Sequence, residues 1–173
     1  MKKSELKNFI RDIPDFPKKG IIFKDITPLL NNKEAFKKSI DIIVSQFKKQ
    51  SVEHVVAVES RGFIFGSAIA YKLGAGFVPI RKKGKLPYKT RSVSYQLEYG
   101  TDTLEIHENL IKPNARVLVV DDVLATGGTV KAVIDLLKGL EAKIAGISFL
   151  IELRFLKGKD KLKEYPFYSI IKY

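Results

Sequence analysis

The residues best suited to chemistry lie in one string, Val117-Leu118-Val119-Val120-Asp121-Asp122-Val123-Leu124-Ala125-Thr126-Gly127-Gly128-Thr129. An apolar run leads into two adjacent carboxylates, a loop of small residues and the start of a helix. Backbone N–H groups from Ala125 to Thr129 can wrap a phosphate, and two glycines let the chain approach it closely. The following helix adds its positive dipole end and unpaired N–H groups, and the hydroxyls of Thr126 and Thr129 can donate. Two carboxylates beside such a cradle repel an anion unless they face something else. Ribose hydroxyls or a divalent cation are suitable partners. Neither GxxxxGK[ST] nor GxGxxG is present.

A second turn of similar design is Glu59-Ser60-Arg61-Gly62, directly after the apolar run His54–Val58. It offers backbone donors and a guanidinium to an anion. A third feature is a cationic stretch. From Arg81 to Leu97 there are six cations (Arg81, Lys82, Lys83, Lys85, Lys89, Arg91) and no carboxylate, half of the net +12 of the chain. Six cations could follow a nucleic-acid backbone. Yet Tyr88 alone supplies aromatic interleaving, and no nucleic-acid motif is present. A lid over a polyanionic small molecule fits the stretch better, and no nucleic-acid partner is expected.

These segments need a scaffold. At 173 residues with 45% apolar content, the chain suits a single globular domain. The absence of cysteine excludes disulfides, thiolate metal sites and cysteine nucleophiles. No apolar run approaches a membrane span, and the N-terminus carries no secretory signal. A cytoplasmic protein without membrane partners is the expectation.

Periodicity predicts a helix over 3–12, with Leu6, Phe9 and Ile10 on one side, and an extended segment over 20–23. A second helix should run from an Asn32 N-cap to about Gln50, with Phe36, Ile40, Ile43, Val44 and Phe47 facing inward. An alternation then follows. Strands are expected at 54–58, 76–80, 116–120 and 142–150, with helices at 62–73 and 129–140. An antiparallel pair is expected at 92–99 and 103–106. Short strands separated by helices imply βαβ units and a parallel sheet. Ligands of such sheets bind beyond the carboxyl ends of the strands, where the three segments above lie.

The 117–129 string resembles the hallmark of the type I phosphoribosyltransferases, enzymes that use 5-phosphoribosyl 1-pyrophosphate (PRPP). The resemblance implies an α/β fold: a mostly parallel twisted sheet flanked by helices, with a flexible hairpin lid at about 81–103 and hood elements at 14–28 and 152–173. It implies that Ala125, Thr126, Gly127, Gly128 and Thr129 hold the 5-phosphate and that Asp121 and Asp122 hold the ribose hydroxyls. Pyrophosphate would fall to Glu59, Ser60 and Arg61, completed by Arg81, Lys82 and Lys85.

Three further segments, 15–28, 59–66 and 94–100, are similar to the adenine-specific branch of that family, and the similarity covers nearly the whole chain. It implies the reaction adenine + PRPP → AMP + pyrophosphate, in purine salvage. Mg²⁺ would enter mainly through substrate oxygens and no protein metal ligand is expected. A homodimer is implied. Ile22, Phe23, Lys24 and Leu153 match base-binding positions, and Lys24 stands where the branch often has arginine. Ala125 replaces an aspartate that oxopurine-specific relatives use at N7 of the base. Glu98 matches the glutamate that serves adenine instead, and Arg61 joins it as a catalytic candidate. To donate a proton at pH 7, Glu98 needs a pKa above its reference of ~4.3, which closure of an apolar-walled loop would supply.

Overall fold

The computed structural model describes residues 1–96 and 100–173. They pack as two compact units, Met1–Ile42 and Ile43–Tyr173.

The first unit opens with a 3-10 helix, Lys3–Phe9, in which Leu6 is buried. The helix expected to reach residue 12 stops there, because Arg11–Pro14 (β1) pairs antiparallel with Ile22–Asp25 (β2). The register places Arg11 opposite Asp25 and Asp12 opposite Lys24. Both pairs are ionic, at 2.8 and 2.7 Å. Opposite charges facing each other across a ladder favour that pairing, and here they outweigh a weak helical pattern. Thr27–Asn31 (α1) packs on the 3-10 helix. Asn32 then starts α2 (Lys33–Phe47) as expected, its Oδ1 accepting the Ala35 N–H at 2.9 Å. In this unit α2 buries Ala35, Ser39 and Ile40.

The second unit holds a seven-stranded sheet. Its strands are β3 (His54–Val58), β4 (Gly76–Lys82), β5 (Thr90–Gln96), β6 (Thr101–His107), β7 (Arg116–Leu124), β8 (Lys143–Glu152) and β9 (Phe167–Lys172). Their order is β5-β6-β4-β3-β7-β8-β9. The five strands from β4 to β9 are parallel, and the β5–β6 hairpin adds an antiparallel edge. Two helices follow strands, α3 (Arg61–Leu73) after β3 and α4 (Gly128–Gly139) after β7. Val56, Ile80, Leu104, Val119, Val133, Ile147 and Phe149 share one buried core. Phe47, at the end of α2, is also buried in this unit.

The expected elements after residue 50 are present among the described residues, the end of the 92–99 strand lying outside them, with two revisions. β7 does not stop at Val120 but continues to Leu124, because β8 pairs with it to the end, Asp121 opposite Phe149 and Val123 opposite Ile151. The acidic pair therefore belongs to a strand and not to a loop. The chain closes with β9 as a parallel edge strand, an element that local periodicity does not announce.

Candidate active site

Strands β3 and β7 are parallel neighbours, with Ala57 beside Val120. The helix after β3 leads to β4 on one side, while β7 lies on the other. That arrangement opens a crevice at the carboxyl ends. Both turns singled out in the sequence are thereby brought to one place, Glu59–Gly62 from β3 and Asp121–Thr129 from β7.

The contact between them is close. Arg61 Nε lies 2.6 Å from Asp122 Oδ2, and Asp122 is only 5% exposed. A Cβ at Gly62 would meet Asp121 Oδ1 at 2.7 Å and the Val120 carbonyl oxygen at 3.4 Å. Only glycine lets the first turn of α3 press on the acidic pair. Asp121 Oδ1 also accepts the Asp122 N–H at 2.9 Å. Burial pushes both carboxyls above the ordinary aspartate range, and the charge of Asp122 pushes Asp121 further. The Arg61 guanidinium pulls both back. The pair is thus a charged feature held in place at a cost, which hydroxyl donors from a ligand would offset.

The loop from Ala125 to Gly127 joins β7 to α4. It lines a pocket of about 70 Å³ together with Asp121, Gly128, Thr129 and Phe149. That is room for several waters or for a small anion. Gly127 has φ +78°, a left-handed conformation that costs other residues more than glycine. It occupies the N-cap of α4, where the first N–H groups of the helix lack intrahelical acceptors. Twelve residues of helix behind them favour negative charge at this end.

Ser60 takes the N-cap position of α3 but makes no side-chain capping bond. Glu59 turns back toward β4. Its oxygens take Arg81 Nε and Lys85 Nζ, each at 2.7 Å, while its side chain is only 7% exposed. Burial alone would raise the Glu59 carboxyl, but Lys85 and Arg81 outweigh it and hold the pKa below the ordinary value. Three of the expected pyrophosphate residues are therefore one ion cluster, with Glu59 as its anchor. Lys82 pairs instead with Asp102 of the hairpin at 3.1 Å, which raises its own pKa. Arg91 donates to the Gly139 carbonyl at the end of α4, a favourable place for a cation. Four of the six cations in the basic stretch thus have partners within the chain.

One expected result follows for the cluster. Glu59→Gln should cost ~1–2 kcal/mol at neutral pH, discounted because both cations are a third to half exposed. The depressed carboxyl contributes its stability above the ordinary glutamate value. That contribution is lost as pH falls through the lower folded value. Urea unfolding of both proteins at pH 7 and pH 3 should show a difference that shrinks in acid. A gap of equal size at both pH values would refute the ion-pair account.

In the first unit, Ile22 is 55% exposed and Phe23 packs edge-on against Phe16, with centroids 5.1 Å apart. Lys24 Nζ reaches both Asp12 oxygens at 2.7 Å. Within the second unit, Leu153 lines a pocket with Glu152, Lys157, Gly158 and Lys172. Glu98 lies outside the described residues. The strand leading toward it, β5, packs on α4, and Tyr95 Oη comes within 3.4 Å of Thr129 Oγ1. Sequence reasoning missed Tyr95, Gly62 as a spacer for Asp121, and the approach of Gly158 to the loop. Gly62 alone carried a local signal, being next to Arg61.

A largely parallel sheet whose glycine-rich turn adjoins an acidic pair, Asp122 buried and Asp121 half-buried, fits a phosphoribosyltransferase, and residues 25–172 match the phosphoribosyl transferase domain family. Adenine phosphoribosyltransferase of Brachyspira hyodysenteriae is 56% identical over 169 residues, covering 98% of this chain and 99% of its own. The crystal structure of the Thermoanaerobacter pseudethanolicus enzyme is 50% identical, with a TM-score of 0.96 over 99% of this chain and 100% of its own. The Saccharomyces cerevisiae enzyme, complexed with adenine and an imino-altritol bisphosphate, is 40% identical, with a TM-score of 0.92 over 97% of each chain. The chain belongs to the adenine phosphoribosyltransferase family.

Proposed function

We propose that the chain transfers the 5-phosphoribosyl group of PRPP to N9 of adenine, giving AMP and pyrophosphate in purine salvage. The observation that carries the reading is the junction of the phosphate cradle with the acidic pair at the β3–β7 crevice. One small anion pocket, lined by Ala125–Thr129, adjoins two carboxylates in the strand that leads to it. A ribose 5-phosphate offers that spacing, with an anion at one end and a diol at the other.

The C1–O bond breaks toward pyrophosphate, which leaves with the electron pair, and the N9 lone pair closes on C1. Positive charge builds on the ribose between, as in other glycosyl transfers. Holding both ends of the sugar converts part of the encounter entropy into rate. Arg61 and the N–H groups at the start of α3 face the leaving pyrophosphate. Adenine reacts as its 7H tautomer, whose N9 carries a free lone pair: ionised Glu98 takes the N7 proton as N9 bonds, and in the reverse direction protonated Glu98 donates it back, the step that calls for the raised pKa. Ile22, whose side chain is exposed, offers an apolar surface for a flat base.

No three His, Cys, Asp or Glu side chains converge as a metal cage among the described residues. Such a donor set suits Mg²⁺ carried mainly by diphosphate oxygens and water. When bound, it would neutralise charge on the leaving group. The reading further takes the enzyme as a cytoplasmic homodimer. PRPP is a phosphorylated intracellular compound, and Ile64 and Tyr71 are exposed two turns apart on α3, a face that a second copy could cover.

The test is product formation from adenine, hypoxanthine and guanine with PRPP, with and without Mg²⁺. AMP that depends on Mg²⁺, with no product from the oxopurines, is expected. PRPP binding with no product from any base would overturn the enzymatic reading in favour of a PRPP-sensing protein.

A further inference from the structure

The phosphate loop has a wall that belongs to none of its own residues. After β8 the chain turns through two short 3-10 helices, Arg154–Leu156 and Gly158–Leu162, far along the sequence from residue 127. The first residue of the latter, Gly158, is buried and lies flat against the back of the loop. A Cβ there would overlap the Ala125 carbonyl oxygen, and would stand 3.0 Å from Gly127 N and 3.1 Å from the Ala125 carbonyl carbon. The approach is reciprocal, since a Cβ on Gly127 would meet the Gly158 carbonyl oxygen at 2.7 Å. All of these neighbours are backbone atoms, so no side chain can swing aside.

The turn that carries Gly158 is fixed. Leu162, four residues on, is 1% exposed and belongs to the main core with Val133 and Phe149. The Asp160 N–H bonds to the Lys157 carbonyl at 3.0 Å, and the Tyr165 N–H to the Leu162 carbonyl at 3.0 Å. A rigid turn pressed backbone to backbone on a glycine-rich loop sets where that loop's N–H groups stand.

We propose that Gly158 is a positioning residue for the phosphate loop: its lack of a side chain sets the curvature of Ala125–Gly127 that receives the 5-phosphate. The proposal rests on the reading of this loop as the 5-phosphate site. A methyl group at residue 158 must displace the loop or the turn.

The experiment compares AMP, which carries the 5-phosphate, with pyrophosphate, which does not use the loop, by calorimetric titration of wild type and Gly158→Ala. A displacement near 1 Å is expected to weaken AMP binding by ~10–100-fold and leave pyrophosphate binding unchanged. Gly139→Ala, whose Cβ would meet only the Arg91 side chain, controls for adding a methyl group and should bind both ligands as wild type does. Unchanged AMP affinity in Gly158→Ala, or equal loss for both ligands, overturns the proposal. A wild type that binds adenosine as tightly as AMP would instead remove the 5-phosphate reading itself. If Gly158→Ala does not fold, Leu162→Val loosens the turn without adding an atom at the loop. Selective loss of AMP supports the proposal there, and no selective loss overturns it.

Discussion

Glu98→Ala is expected to lower kcat by ~10²–10⁴-fold, the usual worth of a positioned proton-transfer group, while the Kd for PRPP stays within about twofold. The separation follows from where the charges lie. On the proposed reading PRPP is gripped through its phosphate by the Ala125–Thr129 loop, through its diol by Asp121 with Asp122, and through its pyrophosphate by Arg61, groups that the crevice brings together. A carboxylate acting on N7 of the base adds nothing to those contacts. Its work comes when N9 becomes bonded and the ring must give up a proton. The loss should therefore fall on the chemical step, and Glu98→Gln should fare little better than alanine, since an amide cannot take the proton. Pre-steady-state AMP formation together with PRPP titration resolves the two quantities. Equal loss in PRPP affinity and in rate would mean that Glu98 holds substrate and does not move a proton.

What was legible in the sequence was whatever is local. The β3–α3–β4 and β7–α4–β8 units show themselves by apolar periods of two and 3.6. The phosphate loop is a contiguous string that needs no partner to be recognised. Relations between distant segments were not legible. Glu59 anchoring Arg81 and Lys85 depends on the parallel register of β3 and β4, which sets Val58 beside Ile80. Gly158 reaches Gly127 only because β8 and the turn after it return to the end of β7. At residues 11–14 the local signal misled. Arg11 and Asp12 read as the end of a helix until Lys24 and Asp25 are placed opposite them. In the basic stretch, sequence counted charges correctly but could not assign them, because four of the six are already matched by carboxylates or a helix end.

The acidic pair carries the other large effect, and it runs in opposite directions for binding and stability. On the proposed reading, Asp121→Asn removes a carboxylate that accepts a hydrogen bond from a ribose hydroxyl. A hydrogen bond to a charged group contributes ~1.5–3 kcal/mol, so ribose 5-phosphate and PRPP should bind ~10–100-fold more weakly. The unliganded protein should be at least as stable as wild type. Burial and the neighbouring Asp122 hold the Asp121 carboxyl above its ordinary value, so at neutral pH its ionised form is a cost to the fold. The sign is set by proton uptake. A folded carboxyl with a raised pKa binds protons more readily than the unfolded chain does. Stability is therefore gained as pH falls through the raised value toward the ordinary one, and the cost returns as pH rises. With asparagine at residue 121 that part of the pH dependence should disappear. Arg61 keeps its partner throughout, because the ion pair is with Asp122. Thermal unfolding between pH 5 and pH 8, paired with ligand titration, reads both halves. Inorganic phosphate, which has no diol, should bind both proteins alike. Unchanged ribose 5-phosphate affinity would show that Asp121 does not hold the sugar. A melting temperature that falls in step with affinity would place its role in the fold, where the site would be lost through unfolding and not through a missing acceptor.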